Sequence, residues 1–113
     1  GLVRADLITL HASGNTCILD AAAFQKMRHG VYLLNGARGG LVDEQALIEA
    51  LASGKVAGAW FDTFVQEPYA GPLCDYDNVL LTPHIATYTR ECRRAMETAA
   101  VRNLLRDLGV PLR

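Results

Sequence analysis

The sequence has no strong charge of one sign, no long apolar run and no paired cysteines. Its 11 basic and 12 acidic residues leave a formal net charge of -1. Such a chain sets up no long-range field that would draw in nucleic acid or an anionic membrane, and neither partner is expected. The longest apolar stretches, such as Val31–Leu34 and Val79–Leu81, fall far short of the roughly 20 residues that span a bilayer. No secretory signal of the usual three-part form opens the chain. The three cysteines, Cys17, Cys74 and Cys92, are widely spaced with no C-x-x-C pair, so neither a zinc site nor a dithiol redox motif is indicated and no metal is expected. Their odd number suits reduced thiols and a cytoplasmic setting. Cys92, at an apolar helical position, reads as a small buried hydrophobe. No internal repeat is present, and no Ser-His-Asp arrangement competes for a catalytic reading.

What is present is enough for one domain: 113 residues, half of them hydrophobic. Short apolar runs alternate with amphipathic stretches. Leu7–Leu10 reads as a strand. Asp20 then caps a helix running to about Arg28, with Phe24 and Met27 on its buried face and Gly30 past its end. Val31–Leu34 is a second strand, followed by the glycine-rich Asn35–Gly40 and by Asp43, which caps a helix burying Ala46, Leu47, Ala50 and Leu51 and stopping at Gly54. Ala57–Phe61 is a third strand, an irregular stretch follows, and Val79–Leu81 is the fourth. From about Thr89 to Leu108 a long helix places Cys92, Met96, Ala100, Leu104 and Leu108 at four-residue intervals, with Gly109 and Pro111 ending it.

Strands alternating with helices predict βαβ units and a parallel sheet. Strands apolar on both faces predict helices on both sides, the doubly wound α/β arrangement. In such sheets ligands bind at the carboxyl ends of the strands. His11, Arg38, Asp62 and His84 all follow strands there. One element is missing: no G-x-G-x-x-G occurs, so the pattern resembles the second part of a Rossmann-like dinucleotide fold, without its phosphate-binding turn. The chain also opens at Gly1 without a methionine. A piece of something longer is therefore expected, with an exposed sheet edge that favours association.

Taken one at a time, the polar residues have plain readings beside functional ones. Arg38 is a surface arginine in a turn, or a planar guanidinium able to grip a carboxylate with two hydrogen bonds. His84 is a hydrogen-bonding residue at a strand end, or a group that exchanges a proton with a substrate oxygen. Glu67 is a solvated loop charge, unless it meets His84 in space and steadies the imidazolium. Asp62 caps a turn or accepts a hydrogen bond from a cofactor amide. His29, near a helix C-terminus, is structural, and His11 is open to either reading.

Three segments change that balance. Asn35-Gly36-Ala37-Arg38-Gly39-Gly40-Leu41-Val42-Asp43-Glu44, Phe61-Asp62-Thr63-Phe64-Val65-Gln66-Glu67-Pro68 and Asn78-Val79-Leu80-Leu81-Thr82-Pro83-His84-Ile85-Ala86 resemble, in order and spacing, three signatures of the D-isomer-specific 2-hydroxyacid dehydrogenases. The likeness runs from Ala5 to the terminal helix. It implies residues 1-87 as the C-terminal portion of an NAD-binding Rossmann domain, and 88-113 as a helix and tail leading back to a substrate domain. It implies Arg38, Glu67 and His84 as the catalytic set: an arginine on the substrate's carboxylate and keto group, an acid/base histidine and its carboxylate partner. It implies Asp62 at the nicotinamide carboxamide, and Ala12, Gly36, Ala37, Arg38, His84 and Ala86 around the cofactor, which is NAD, with NADP left open. It further implies a small 2-hydroxy or 2-oxo acid as the substrate and a homodimer as the complete enzyme. The Glu67-Pro68 loop and Thr82–Ile85 resemble phosphoglycerate dehydrogenase members, whereas Tyr88 resembles D-lactate members. A corepressor on the same scaffold that senses NAD(H) without turnover is the alternative. The sequence departs from the family in a shorter loop after His11, in Gly36 where a hydroxyl residue is common, and in a bulky Trp60. The expectation for the 113 residues alone is no dehydrogenase activity.

Overall fold

The computed structural model describes residues 1–110, and Pro111 lies outside them. Four strands, β1 (Leu7–Leu10), β2 (Val31–Asn35), β3 (Val56–Phe61) and β4 (Val79–Leu81), form one sheet in the order β1-β2-β3-β4 with every pairing parallel. Helix α1 (Ala21–Lys26) joins β1 to β2, and α2 (Glu44–Ala52) joins β2 to β3. The Asp20 carboxylate accepts from Ala23 N and that of Asp43 from Ala46 N, so both predicted caps supply partners for free helix-end amides. Gly30 and Gly54 take positive φ where α1 and α2 hand over to the next strand. α1 ends earlier than the pattern predicts, at Lys26, because Met27 is already extended.

The core lies between the two helices and one face of the sheet. Phe24, Met27, Leu47 and Leu51 pack with Val31, Leu33, Val56 and Phe61, all buried. Among the described residues, the expected cover is present on one face only. Tyr32, Leu34, Trp60 and Leu80 share the other face by register; Tyr32 and Leu80 are exposed and the other two half-buried. Parallel crossovers are right-handed as a rule, so two that step the same way across the sheet set their helices on one side, and α1 packs against α2.

Helix α3 (Arg90–Asp107), capped by the Thr89 hydroxyl, confirms the long terminal helix but buries none of its residues. Its apolar row is open, with Met96, Leu104 and Leu108 about half exposed or more. The expectation that Cys92 fills a core is corrected. Its thiol is half-buried against Met96 of the same helix, because α3 buries none of its residues among those described. Among the described residues no helix is long and apolar enough to cross a membrane.

Candidate active site

The register aligns the carboxyl ends of the strands: Leu10 pairs with Asn35, Asn35 with Phe61, and Phe61 with Leu81. The segments that follow therefore emerge side by side. These are Ala12 after β1, Gly36–Arg38 after β2, Asp62 after β3 and Thr82–Ala86 after β4.

The loop after β2 is shaped by a residue whose role the sequence reading missed. Asn35 is fully buried; its Oδ1 accepts from Ala37 N (3.1 Å) and its Nδ2 donates to the Arg38 carbonyl (2.9 Å). An asparagine closing a strand before glycine is a recognisable turn signal, and here it presents Arg38 outward. The Arg38 guanidinium is exposed and donates to the Ala37 carbonyl. Gly39 brings this loop against the next one. A Cβ there would overlap the main chain of Phe64 and Val65, so only glycine allows the approach.

The second loop carries Glu67, immediately before a cis Glu67–Pro68 bond and beside the stacked rings of Phe64 and Tyr69 (4.4 Å between centroids). Glu67 Oε1 accepts from Phe64 N and Oε2 meets His84 Nδ1, both at 3.0 Å. The Phe64 amide, then the bond to His84, hold the Glu67 carboxyl below its ordinary value. Arg38, Glu67 and His84 line one cleft of about 460 Å³ with Asn15, Thr63 and Phe64. The three residues predicted as a set are thus brought together. Thr63 Oγ1 is buried at this cleft without a hydrogen-bond partner among the described residues.

His84 stands in the left-handed region (φ 56°), the one non-glycine residue to do so among those described. A side chain there costs roughly 1–2 kcal/mol. Behind it lies Asp62, only 1 % exposed. Oδ1 accepts from the Thr82 hydroxyl (2.6 Å) and Ile85 N (2.9 Å), and Oδ2 from Ala86 N (2.8 Å). Burial raises its pKa, but the bonds from Thr82, Ile85 and Ala86 outweigh burial and hold it below the ordinary value. Of the two roles open to Asp62 in the sequence, capping a turn is the one these bonds perform. Thr82 and Trp60, whose Nε1 donates to Thr82 Oγ1 at 3.0 Å, are further participants that no local pattern singled out. Among the described residues, the His11 ring bonds only to Thr9, two residues back, at 3.0 Å.

Comparison with known proteins agrees with this layout. The family model described as "D-isomer specific 2-hydroxyacid dehydrogenase, NAD binding domain" matches residues 2–86. The chain is 40% identical over 109 residues to a glyoxylate reductase of Thermofilum pendens, covering 92% of this chain and 32% of that protein. It is 44% identical over 97 residues to a D-3-phosphoglycerate dehydrogenase of Archaeoglobus fulgidus (81% and 18%). It is 44% identical over 104 residues to a D-lactate dehydrogenase of Lactiplantibacillus plantarum (76% and 31%). The chain therefore spans a third or less of the length of these relatives.

Among solved structures, a glyoxylate reductase from Paecilomyes thermophila superposes with a TM-score of 0.84 at 38% identity, covering 91% of this chain and 33% of that one. A D-isomer specific 2-hydroxyacid dehydrogenase from Lactobacillus delbrueckii, in its NAD complexed form, superposes at 0.78 with 30% identity (99% and 40%). One from Xanthobacter autotrophicus, in complex with NADPH, superposes at 0.77 with 33% identity (98% and 48%). With three signature segments converging on one cleft and the family model covering most of its length, this chain belongs to the D-isomer-specific 2-hydroxyacid dehydrogenase family and carries sequence of its NAD-binding domain.

Proposed function

We propose that this chain supplies the catalytic residues and the nicotinamide-side contacts of an NAD-dependent dehydrogenase that interconverts a D-2-hydroxy acid and its 2-oxo acid. The observation that carries the reading is the His84–Glu67 pair at 3.0 Å, opening into the cleft that Arg38 also lines.

When bound, the dinucleotide supplies or takes up the hydride at the substrate's C2. The protein groups manage charge and protons. The exposed Arg38 guanidinium grips the substrate carboxylate and stabilises charge on the neighbouring oxygen. Glu67 engages Nδ1 of His84, which leaves Nε2 to give a proton to the substrate oxygen in reduction and to take it back in oxidation. Glu67 thereby fixes the orientation of the ring.

The residues present suit the nicotinamide end of the cofactor. Ala12, Gly36 and Ala86 are small and exposed at the carboxyl edge of the sheet, with Ala37 half-buried beside them. A flat ring can therefore lie against the main chain. Arg38, Asp62 and His84 complete the proposed cofactor set, Asp62 chiefly through the segment it holds. No G-x-G-x-x-G occurs in the 113 residues, so the pyrophosphate would be held by residues outside them.

The finer assignments belong to the same proposal. NAD is favoured and NADP stays open. The likeness of the Glu67-Pro68 loop to phosphoglycerate dehydrogenase members supports a substrate of that kind. Residues 1-87 form the dinucleotide-binding part. Residues 88-113 lead towards a substrate domain, a division supported by the fact that none of the residues of α3 is buried. A cytoplasmic homodimer is the proposed working form.

The test is a chimera in which this chain replaces the matching segment of the Thermofilum pendens protein, assayed for NADH oxidation with glyoxylate, pyruvate and phosphohydroxypyruvate. Turnover with at least one supports the reading. A folded chimera that binds NADH but reduces none of the three refutes it.

A further inference from the structure

His84 sits in a backbone conformation that side chains seldom adopt, and such a residue persists only where its surroundings over-determine it. The surroundings here form a directed chain of hydrogen bonds. An indole N–H can only donate, so Trp60 Nε1 gives its proton to Thr82 Oγ1 (3.0 Å). The Thr82 hydroxyl hydrogen is thereby turned to Asp62 Oδ1 (2.6 Å), since an ionised carboxylate only accepts. Asp62 in turn receives Ile85 N and Ala86 N, the two amides that follow His84, and His84 N closes onto the Thr82 carbonyl (3.0 Å). The strained residue is therefore fastened on both sides.

The far end of the chain is fixed as well. The Trp60 ring reaches across the sheet from β3 to Gly36 at the end of β2, where a Cβ would come within 3.1 Å of its Cη2. The absent side chain at Gly36 and the bulky Trp60, separate departures from the family pattern, meet as one feature. The glycine leaves the space that the indole uses.

We infer that Trp60, Thr82 and Asp62 act together as positioning residues, holding the His84 turn so that its imidazole stays against Glu67 and faces the cleft. None of the three needs to touch substrate to do this. The role rests on the reading of His84 as the acid/base group, but its test does not depend on turnover, so the two can fail separately.

The experiment is nuclear magnetic resonance on the labelled 113-residue chain. It compares wild type with Thr82→Val, which keeps the shape and loses the hydroxyl, with Thr82→Ser, which restores it, and with Trp60→Phe. In Thr82→Val, amide exchange at Ile85 and Ala86 should quicken by about tenfold or more, as expected when a hydrogen bond to a charged group is lost. The His84 ring nitrogen shifts should move with it, while the core amides of Leu33 and Leu47 stay unchanged. Thr82→Ser should restore both signals. Trp60→Phe should give a smaller rise of about threefold, since only the hydroxyl's orientation is released. Unchanged exchange at Ile85 and Ala86 in Thr82→Val, unchanged His84 ring shifts, or no rescue by serine would overturn the inference. If Thr82→Val unfolds the core, Trp60→Phe decides alone: a rise supports the relay and no rise overturns it.

Discussion

Replacing Gly39 by alanine drives a methyl group into the main chain of the neighbouring loop. The added carbon would overlap the Phe64 carbonyl carbon and Val65 nitrogen, and lie 2.5 Å from Phe64 Cα. Carbon atoms in contact sit about 3.5–4.0 Å apart, so the two loops must part by about 1 Å or more. Neither side is a flexible side chain that can swing away. The cost should therefore reach the upper part of the overpacking range, about 2–3 kcal/mol. For a chain of this size that is a fall in melting temperature of about 8–12 °C. The shift is also directed at the site, because the Phe64 amide holds Glu67 Oε1 and Glu67 holds His84. Thermal melts followed by circular dichroism, with Gly54→Ala and Gly36→Ala as references, make the assay. At Gly54 an added Cβ meets nothing and only the positive φ resists it, a strain of about 1 kcal/mol. At Gly36 it meets the edge of the Trp60 ring at 3.1 Å, a far milder approach than the main-chain overlap at Gly39. A Gly39→Ala chain that melts within about 2 °C of wild type, or above Gly54→Ala, would refute the loop contact.

Asn35→Ala takes the Asn35 acceptor from Ala37 N and one of two donors from the Arg38 carbonyl, which also accepts from Leu41 N; urea denaturation should show a loss of about 1–3 kcal/mol. Thr63→Val removes a buried hydroxyl with no partner among the described residues and should raise stability by up to about 1 kcal/mol, whereas an equal loss would show that the hydroxyl is bonded. Asp62 and Glu67 both have carboxyl pKa values lowered on folding. Their contribution to stability is full above the ordinary carboxylate range and is lost as pH falls through the lowered values. Acid denaturation of Asp62→Asn should accordingly depend less on pH below that range than wild type; an unchanged pH dependence would contradict the bonding described. In the chimera, Arg38→Lys should raise KM for the 2-oxo acid and lower kcat/KM by about 100-fold, because lysine keeps the charge but not the paired hydrogen bonds.

Much of the fold was legible because its signals are local. Asp20 and Asp43 announce their helices, Gly30 and Gly54 their ends, and the runs at Val31 and Val79 their strands. The apolar residues on the second face of the sheet and along α3 were legible as apolar, but not as uncovered. A sequence pattern reports what a face would bury, not what lies over it. At the site, Arg38, Glu67 and His84 were found through the order of three segments, and the structure joins Glu67 to His84 across 17 positions. The work of Trp60 and Thr82 was hidden because it depends on a contact from one strand to the end of another. Each residue is ordinary until the sheet sets them side by side. Asn35 lay between: its turn-forming habit is local, but its full burial is not.

The proposed role of His84, held by Glu67 and exchanging the proton in a 2-oxo acid reduction, is tested by the steady-state rate of 2-oxo acid-dependent NADH oxidation by the chimera, compared with its His84→Gln and Glu67→Gln forms. His84→Gln should lower kcat by about 10²–10⁴-fold with NADH affinity retained, as loss of a positioned acid/base group does, and Glu67→Gln should cause a smaller fall. A His84→Gln form that retains the parent's kcat would contradict that role.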